Sequence, residues 1–377
     1  MARAPAVAEV EEVPEADRLE GFAHPRETPQ LFGHEAAERE LAEAAASGRM
    51  HHAWLITGPQ GIGKATLAYR FARFMLARPD ERDMFGASLD IPQDSSASRQ
   101  VRALSHPGLL VIRRPYDLKS KRVRTEITVD EVRRLKSFLG LTAEEDAWRV
   151  VIVDQADELN TNAANALLKS LEEPPKRTVF LLVSSSPGGL LPTIRSRCRT
   201  LALSPLSGEA LKKAVQQAIS SAPDLSAEAV PAPGEWVLLE RLSEGRVRGV
   251  LALKAHGGLD LYTRIVKLLS AFPKLDGGAV HSLSDELASP AAEQRFELFY
   301  EQLMGLLARL VRAKASGEAA SEDGKLANRL IVEERLAVWA TLWETIAAEK
   351  ADALALNLDR KSLILETFSR LERASRR

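Results

Sequence analysis

Apolar residues form short unbroken runs in the first half of the chain and recur at steps of three and four in the second. Ala53-Trp54-Leu55-Ile56, Leu109-Leu110-Val111-Ile112, Val150-Val151-Ile152-Val153 and Val179-Phe180-Leu181-Leu182-Val183 read as strands of a sheet buried on both faces. Helical patterns lie between them: an Ala- and Glu-rich stretch from Phe32-Gly33-His34-Glu35 to about Ser47, Leu67–Leu76, and a helix begun near Val129 with Thr128 or Asp130 as cap. A fourth, Asn160–Leu171, has Ala164, Leu167, Leu168 and Leu171 on one face and is stopped by Pro174-Pro175. Further on, Ser207-Gly208-Glu209 opens a helix running to Ser220, and Trp236–Leu242 and Val247–Ala255 follow. Three long stripes close the chain: Phe296, Phe299, Leu303, Leu306, Leu310; then Val332, Leu336, Trp339, Trp343, Ile346; then Ile364, Phe368, Leu371. They predict the core of a helical bundle.

Polar stretches separate these elements. Residues 1–28 predict a disordered acidic tail. Residues 79–107 read as irregular, with Asp94-Ser95-Ser96-Ala97-Ser98 as loop. Arg113 to Arg124 is basic and predicts a solvated hairpin or loop, with nucleic-acid contact as the alternative. Ser221–Gly234 reads as a linker, and Lys314–Lys325 as a flexible connector.

The first buried run leads straight into Thr57-Gly58-Pro59-Gln60-Gly61-Ile62-Gly63-Lys64-Ala65-Thr66, and a helix follows. Strand, glycine loop and helix are the context a P-loop needs. Gly58, Gly61 and Gly63 let the backbone turn its N–H groups toward phosphate, and the helix N-terminus adds partial positive charge. Lys64 would reach the β- and γ-phosphates, with Pro59, Gln60 and Ile62 completing the loop. The position after the lysine should carry the hydroxyl that ligates Mg²⁺, yet it is Ala65; Thr66 comes one residue late, about 100° further round the helix. A glycine turn that merely packs is the alternative.

The run ending in Asp154 delivers a carboxylate to the C-terminal edge of the sheet, the place of a Walker B aspartate. Oligomeric ATPases that hydrolyse usually have Glu next, whereas Gln155 cannot act as a base. Both departures weaken metal-assisted hydrolysis, and neither forbids nucleotide binding. The strand ending in Ser184-Ser185-Ser186 brings hydroxyls to the same edge, with Ser185 as a candidate phosphate sensor.

The 377 residues have room for two or three domains, and 51 Lys and Arg against 52 Asp and Glu give a net charge of -1, with no global basic footprint. The one cysteine, Cys198, excludes an internal disulfide or cysteine-based zinc site and fits a reducing compartment. No run approaches the roughly 18 apolar residues of a membrane span, and the N-terminus lacks the pattern of a secretory signal. The expectation is a soluble cytoplasmic protein.

Asn165-Ala166-Leu167-Leu168-Lys169-Ser170-Leu171-Glu172-Glu173-Pro174-Pro175, followed by Ile194-Arg195-Ser196-Arg197-Cys198, resembles the clamp-loader subunits of bacterial DNA polymerase III. The resemblance is detailed over residues 29–203 and looser beyond. The altered P-loop and Walker B positions, with Leu356-Asn357-Leu358-Asp359-Arg360-Lys361, favour the delta-prime branch over the gamma/tau motors. It implies an α/β P-loop (AAA+-like) αβα nucleotide-binding domain over 29–203, a helical lid over 204–285, and an all-α C-terminal collar over 286–377. It further implies a hetero-pentamer with gamma/tau-like motor and delta-like subunits, acting on a sliding clamp indirectly and on primer–template DNA through the assembly, with no membrane. Arg197 matches the arginine that reaches a neighbour's ATP site, and Arg248 falls where motor subunits place a sensor arginine. ATP or ADP is then the expected ligand, with Mg weak or absent and no zinc. The alternatives are an active gamma/tau-like ATPase motor and a small-molecule P-loop kinase.

Overall fold

The computed structural model describes residues 14–82, 88–140, 147–222, 229–356 and 358–376. They fall into two compact units, one running to Ser226 and including Glu244–Arg248, the other comprising Ala227–Ser243 and Gly249–Arg377.

In the first unit the strands are β1 (Ala53–Thr57), β2 (Leu109–Arg113), a hairpin of β3 (Tyr116–Asp117) and β4 (Arg122–Val123), β5 (Arg149–Asp154), β6 (Thr178–Ser184) and β7 (Arg199–Ala202). Apart from the hairpin they make one parallel sheet in the order β2-β5-β6-β1-β7. Every residue of β1 and β6 is buried, as expected where helices cover both faces. The helices are α1 (Glu35–Ala46), α2 (Lys64–Leu76), α3 (Ser96–Arg102), α4 (Val129–Gly140), α5 (Thr161–Glu172), α6 (Pro192–Arg195) and α7 (Gly208–Ser220). The sheet order matters for function. Because β6 lies between β1 and β5, its end emerges between the glycine loop that follows β1 and the carboxylate that ends β5.

Helix α9 (Val247–Ala255) begins in the first unit. The second unit takes α8 (Trp236–Ser243), the rest of α9, α10 (Gly258–Ser270), α11 (Gly277–Ala288), α12 (Glu293–Ala315), α13 (Glu322–Leu330), α14 (Leu336–Ala355) and α15 (Arg360–Ser375). Phe296, Phe299, Leu303, Leu306 and Leu310 on α12 are buried, as are Ile364, Phe368 and Leu371 on α15. The middle stripe departs from expectation: Trp339 and Ile346 are buried, but Val332 and Trp343 are 39% and 37% exposed.

Three polar stretches are more ordered than their composition predicts. Residues 14–28, assigned above to an acidic tail, bury Phe22 and His24. Glu15 and Asp17 find a partner far along the chain in Arg113, whose Nη1 donates to Asp17 Oδ1 at 2.9 Å and whose Nη2 donates to Glu15 Oε1 at 2.5 Å. Residues 1–13 of that stretch lie outside the described residues, as do 223–228 of the linker and Asn357.

The Asp94–Ser98 stretch read as loop contains the start of α3, where Ser95 caps the helix by accepting from Ser98 N. Ala97 and Val101 are buried. Likewise the Lys314–Lys325 connector contains the start of α13, capped by Ser321. In both, a serine that reads as loop-forming is an N-cap. The described residues hold no cluster of metal-ligating side chains. Arginines tie residues 88–103 down: Arg70 to Asp90 at 2.7 Å, Arg102 to the Gln93 carbonyl at 2.6 Å, and Arg26 to the Arg102 carbonyl at 2.8 Å.

Candidate nucleotide site

The loop from Gly58 to Gly63 has the left-handed backbone that glycine supplies. Gly58, Gly61 and Gly63 have φ of 139°, 80° and 108°. A Cβ at Gly58 would lie 2.4 Å from the Leu203 carbonyl, so packing and dihedral both exclude a side chain there, and at Gly63 the dihedral alone strains one. Pro59 and Gln60 are exposed at the tip, while Ile62 is buried beneath it. His34 Nε2 donates to the Ile62 carbonyl at 2.8 Å; burial pushes the pKa of this imidazole down.

Lys64 is 4% exposed, and its Nζ donates to the Gly58 and Pro59 carbonyls at 2.7 and 2.6 Å and to Ser185 Oγ at 2.9 Å. That is one acceptor for each ammonium hydrogen. Burial pulls its pKa down to about 8, against the attraction of Asp154 and Asp157. Asp154 is also buried; desolvation raises its pKa to about 7, and its Oδ2 has no hydrogen-bond partner. Asp157 Oδ1 accepts from Ser185 N at 3.1 Å and so fixes the end of β6 beside Lys64.

The sequence-predicted residues therefore converge: the glycine loop, Lys64, Asp154 and Ser185 meet at one edge of the sheet. Arg248 joins them through its backbone, its N–H donating to the Gly61 carbonyl at 3.2 Å. Ala65 is half-buried at the start of α2, whereas Thr66 is buried at 9% exposure, so the later hydroxyl is not presented in place of the missing one. His34 and Asp157 went unassigned in the sequence; the "FGHE" start and the acid three residues after Asp154 were the available signals.

Arg197 stands apart from this cluster. Its Nη1 donates to the Thr193 carbonyl at 2.9 Å and its Nη2 lies 2.7 Å from Glu172 Oε1, with the side chain 35% exposed. Cys198, next in sequence, packs against the sheet's hydrophobic core, and burial pushes its thiol up to about 11 from 9.0. Native protein should therefore react with iodoacetamide about 100-fold more slowly than unfolded protein at neutral pH, because the thiolate is the nucleophile. A mass-shift time course checks this; equal rates would show that the segment around Arg197 is not packed as described.

A cavity of about 860 Å³ opens elsewhere in this unit, lined by Leu76, Phe138, Trp148 and Arg149 among others, and takes in none of the predicted site residues.

Residues 33–207 match the family model described as DNA polymerase III, delta subunit. Over residues 33–207 the chain is thus similar to subunits of DNA polymerase III. Subunit delta' of Pseudomonas aeruginosa DNA polymerase III is 40% identical over 180 residues, 48% of this chain and 50% of that protein. Subunit tau of Escherichia coli is 26% identical over 316 residues, covering 78% of this chain and 46% of that protein. The chain spans about half the length of the curated relatives it matches. A gamma-subunit-related protein of Thermotoga maritima superposes with a TM-score of 0.41 at 18% identity, over 90% of this chain and 100% of that one. No described helix is long and apolar enough to cross a membrane.

Proposed function

We propose that the chain is a delta-prime-like subunit of a DNA polymerase III clamp loader. It supplies Arg197 to a neighbouring subunit's ATP site and turns over little or no ATP at its own. One observation carries the reading: a complete phosphate cradle stands beside chemistry that is missing on both sides, at Ala65 and Gln155. The cradle fits a nucleotide's phosphates, since left-handed glycines and Lys64 converge at a helix N-terminus. To engage them, Lys64 must exchange its bonds to Gly58, Pro59 and Ser185 for phosphate oxygens.

Magnesium fits less well. The unpartnered Oδ2 of Asp154 is a suitable oxygen, but Ala65 offers none, so Asp154 is the residue that would hold such an ion. A magnesium ion would neutralise charge on the β- and γ-phosphates.

Partners in this reading are gamma/tau-like motor and delta-like subunits in a hetero-pentamer, with the sliding clamp and primer–template DNA met through the assembly. The apolar side chains that α14 leaves exposed, Val338, Trp343 and Leu354, support an intersubunit face there. The second reading, an ATPase motor, draws on the intact Gly63-Lys64 pair and on the length of the match to Escherichia coli tau.

Nucleotide binding and steady-state hydrolysis by the isolated chain separate the two. Wild type is expected to bind ATP or ADP without turnover, and an Ala65→Ser, Gln155→Glu double variant to gain magnesium-dependent hydrolysis. Ready hydrolysis by wild type, abolished by Lys64→Ala, would make the chain a motor.

A further inference from the structure

We infer that Glu172 is the positioning residue for Arg197, fixing the plane of its guanidinium for the neighbour's phosphate. The inference rests on the trans role proposed above. An arginine side chain that works in another subunit's site has to be held by its own, or its rotamer freedom opposes every encounter. Here two acceptors hold it. Glu172 Oε1 lies 2.7 Å from Nη2, and the Thr193 carbonyl accepts from Nη1 at 2.9 Å. The two acceptors come from separate elements, the last residue of α5 and the short helix α6.

Both elements are anchored by the core. Leu167 and Leu171 of α5 and Ile194 of α6 are buried in one hydrophobic cluster, and the Arg197 N–H donates to the Ile194 carbonyl at 3.1 Å. Pro174-Pro175 ends the helix just past Glu172, which fixes where that carboxylate sits. The Thr193 carbonyl and the Glu172 carboxylate each hold one terminal nitrogen of the guanidinium, and a planar guanidinium carries five N–H donors in all. Glu172 is 49% exposed, so the ion pair adds little to stability, and its loss is separable from unfolding.

Steady-state ATPase of the assembly reconstituted with its motor subunits tests the assignment, using wild type, Glu172→Gln, Glu172→Ala, Arg197→Ala and the Glu172→Ala, Arg197→Ala pair. Glu172→Ala should lower kcat about tenfold, with KM for ATP and melting temperature unchanged, because only the geometry of the reacting complex suffers. Glu172→Gln keeps an acceptor oxygen and should restore most of the rate. The double variant should be no slower than Arg197→Ala alone. If Arg197→Ala is inactive while Glu172→Ala is as fast as wild type or faster, Glu172 does not position the finger. If Arg197→Ala itself turns over at the wild-type rate, the trans reading fails and this inference falls with it.

Discussion

Arg197→Ala should leave the isolated chain folded and its nucleotide affinity unchanged, yet remove about 10³-fold or more of the ATP turnover of the assembly. The two halves of that expectation have separate causes. The side chain is partly exposed and its ion pair with Glu172 is a surface pair, the kind that contributes about 0–1 kcal/mol. Its contacts are with Thr193 and Glu172 rather than with the Lys64 cluster, so the chain's own P-loop keeps its geometry. A guanidinium at a neighbour's γ-phosphate, in contrast, meets charge that develops only as the bond breaks, and that raises kcat. Arg197→Lys should rescue little, because an ammonium lacks the planar fork. Thermal melting, nucleotide titration of the isolated chain and ATPase of the reconstituted complex measure the three quantities. An assembly rate that stays within about twofold of wild type would refute the trans role.

The P-loop was legible because its information is local. Three glycines, a lysine and the flanking strand and helix sit within one short stretch, and the backbone they need is fixed by residue type alone. The buried strands were legible for the same reason, as unbroken apolar runs. What surrounds the site is set by strand order. Asp157 reaches Ser185 only because β6 lies between β1 and β5, and nothing in either segment announces that neighbourhood. His34 reaches the glycine loop from a helix start 28 positions earlier. Residues 14–28 of the acidic N-terminal stretch departed most clearly from expectation, since composition measures what a segment can bury and not what it can pair with. Arg113, 96 positions from Asp17, turns charges that promised solvation into an anchored strap. Serines posed a smaller version of this difficulty: Ser95 and Ser321 favour loops in general and cap helices in particular, and only the packing of Val101 or Ala327 behind them decides.

Arg70→Ala should cost about 3–5 kcal/mol of the first unit's stability, the range for stripping the partner from a buried charge. Arg70 is 5% exposed on α2 and joins three otherwise separate pieces of chain. Its Nε donates to Glu38 Oε1 of α1 at 2.5 Å, its Nη2 to Asp90 Oδ1 at 2.7 Å, and its Nη1 to the Pro29 carbonyl. Glu38 decides the pH dependence. Burial raises the pKa of its carboxyl and Arg70 opposes that rise, so without the arginine the pKa should climb further. A folded-state pKa above the unfolded value favours the fold at low pH, and that contribution is lost as pH rises through the folded pKa. The deficit of Arg70→Ala relative to wild type should therefore be largest near neutral pH and shrink in mild acid, where Glu38 takes up its proton. Changing both partners, Arg70→Met with Glu38→Leu, removes the stranded charge and should recover much of the loss. Urea unfolding followed across pH supplies every comparison. A deficit under about 1 kcal/mol, or one that is the same at all pH values, would mean that Arg70 is not the tie that joins α1, α2 and the segment around Asp90.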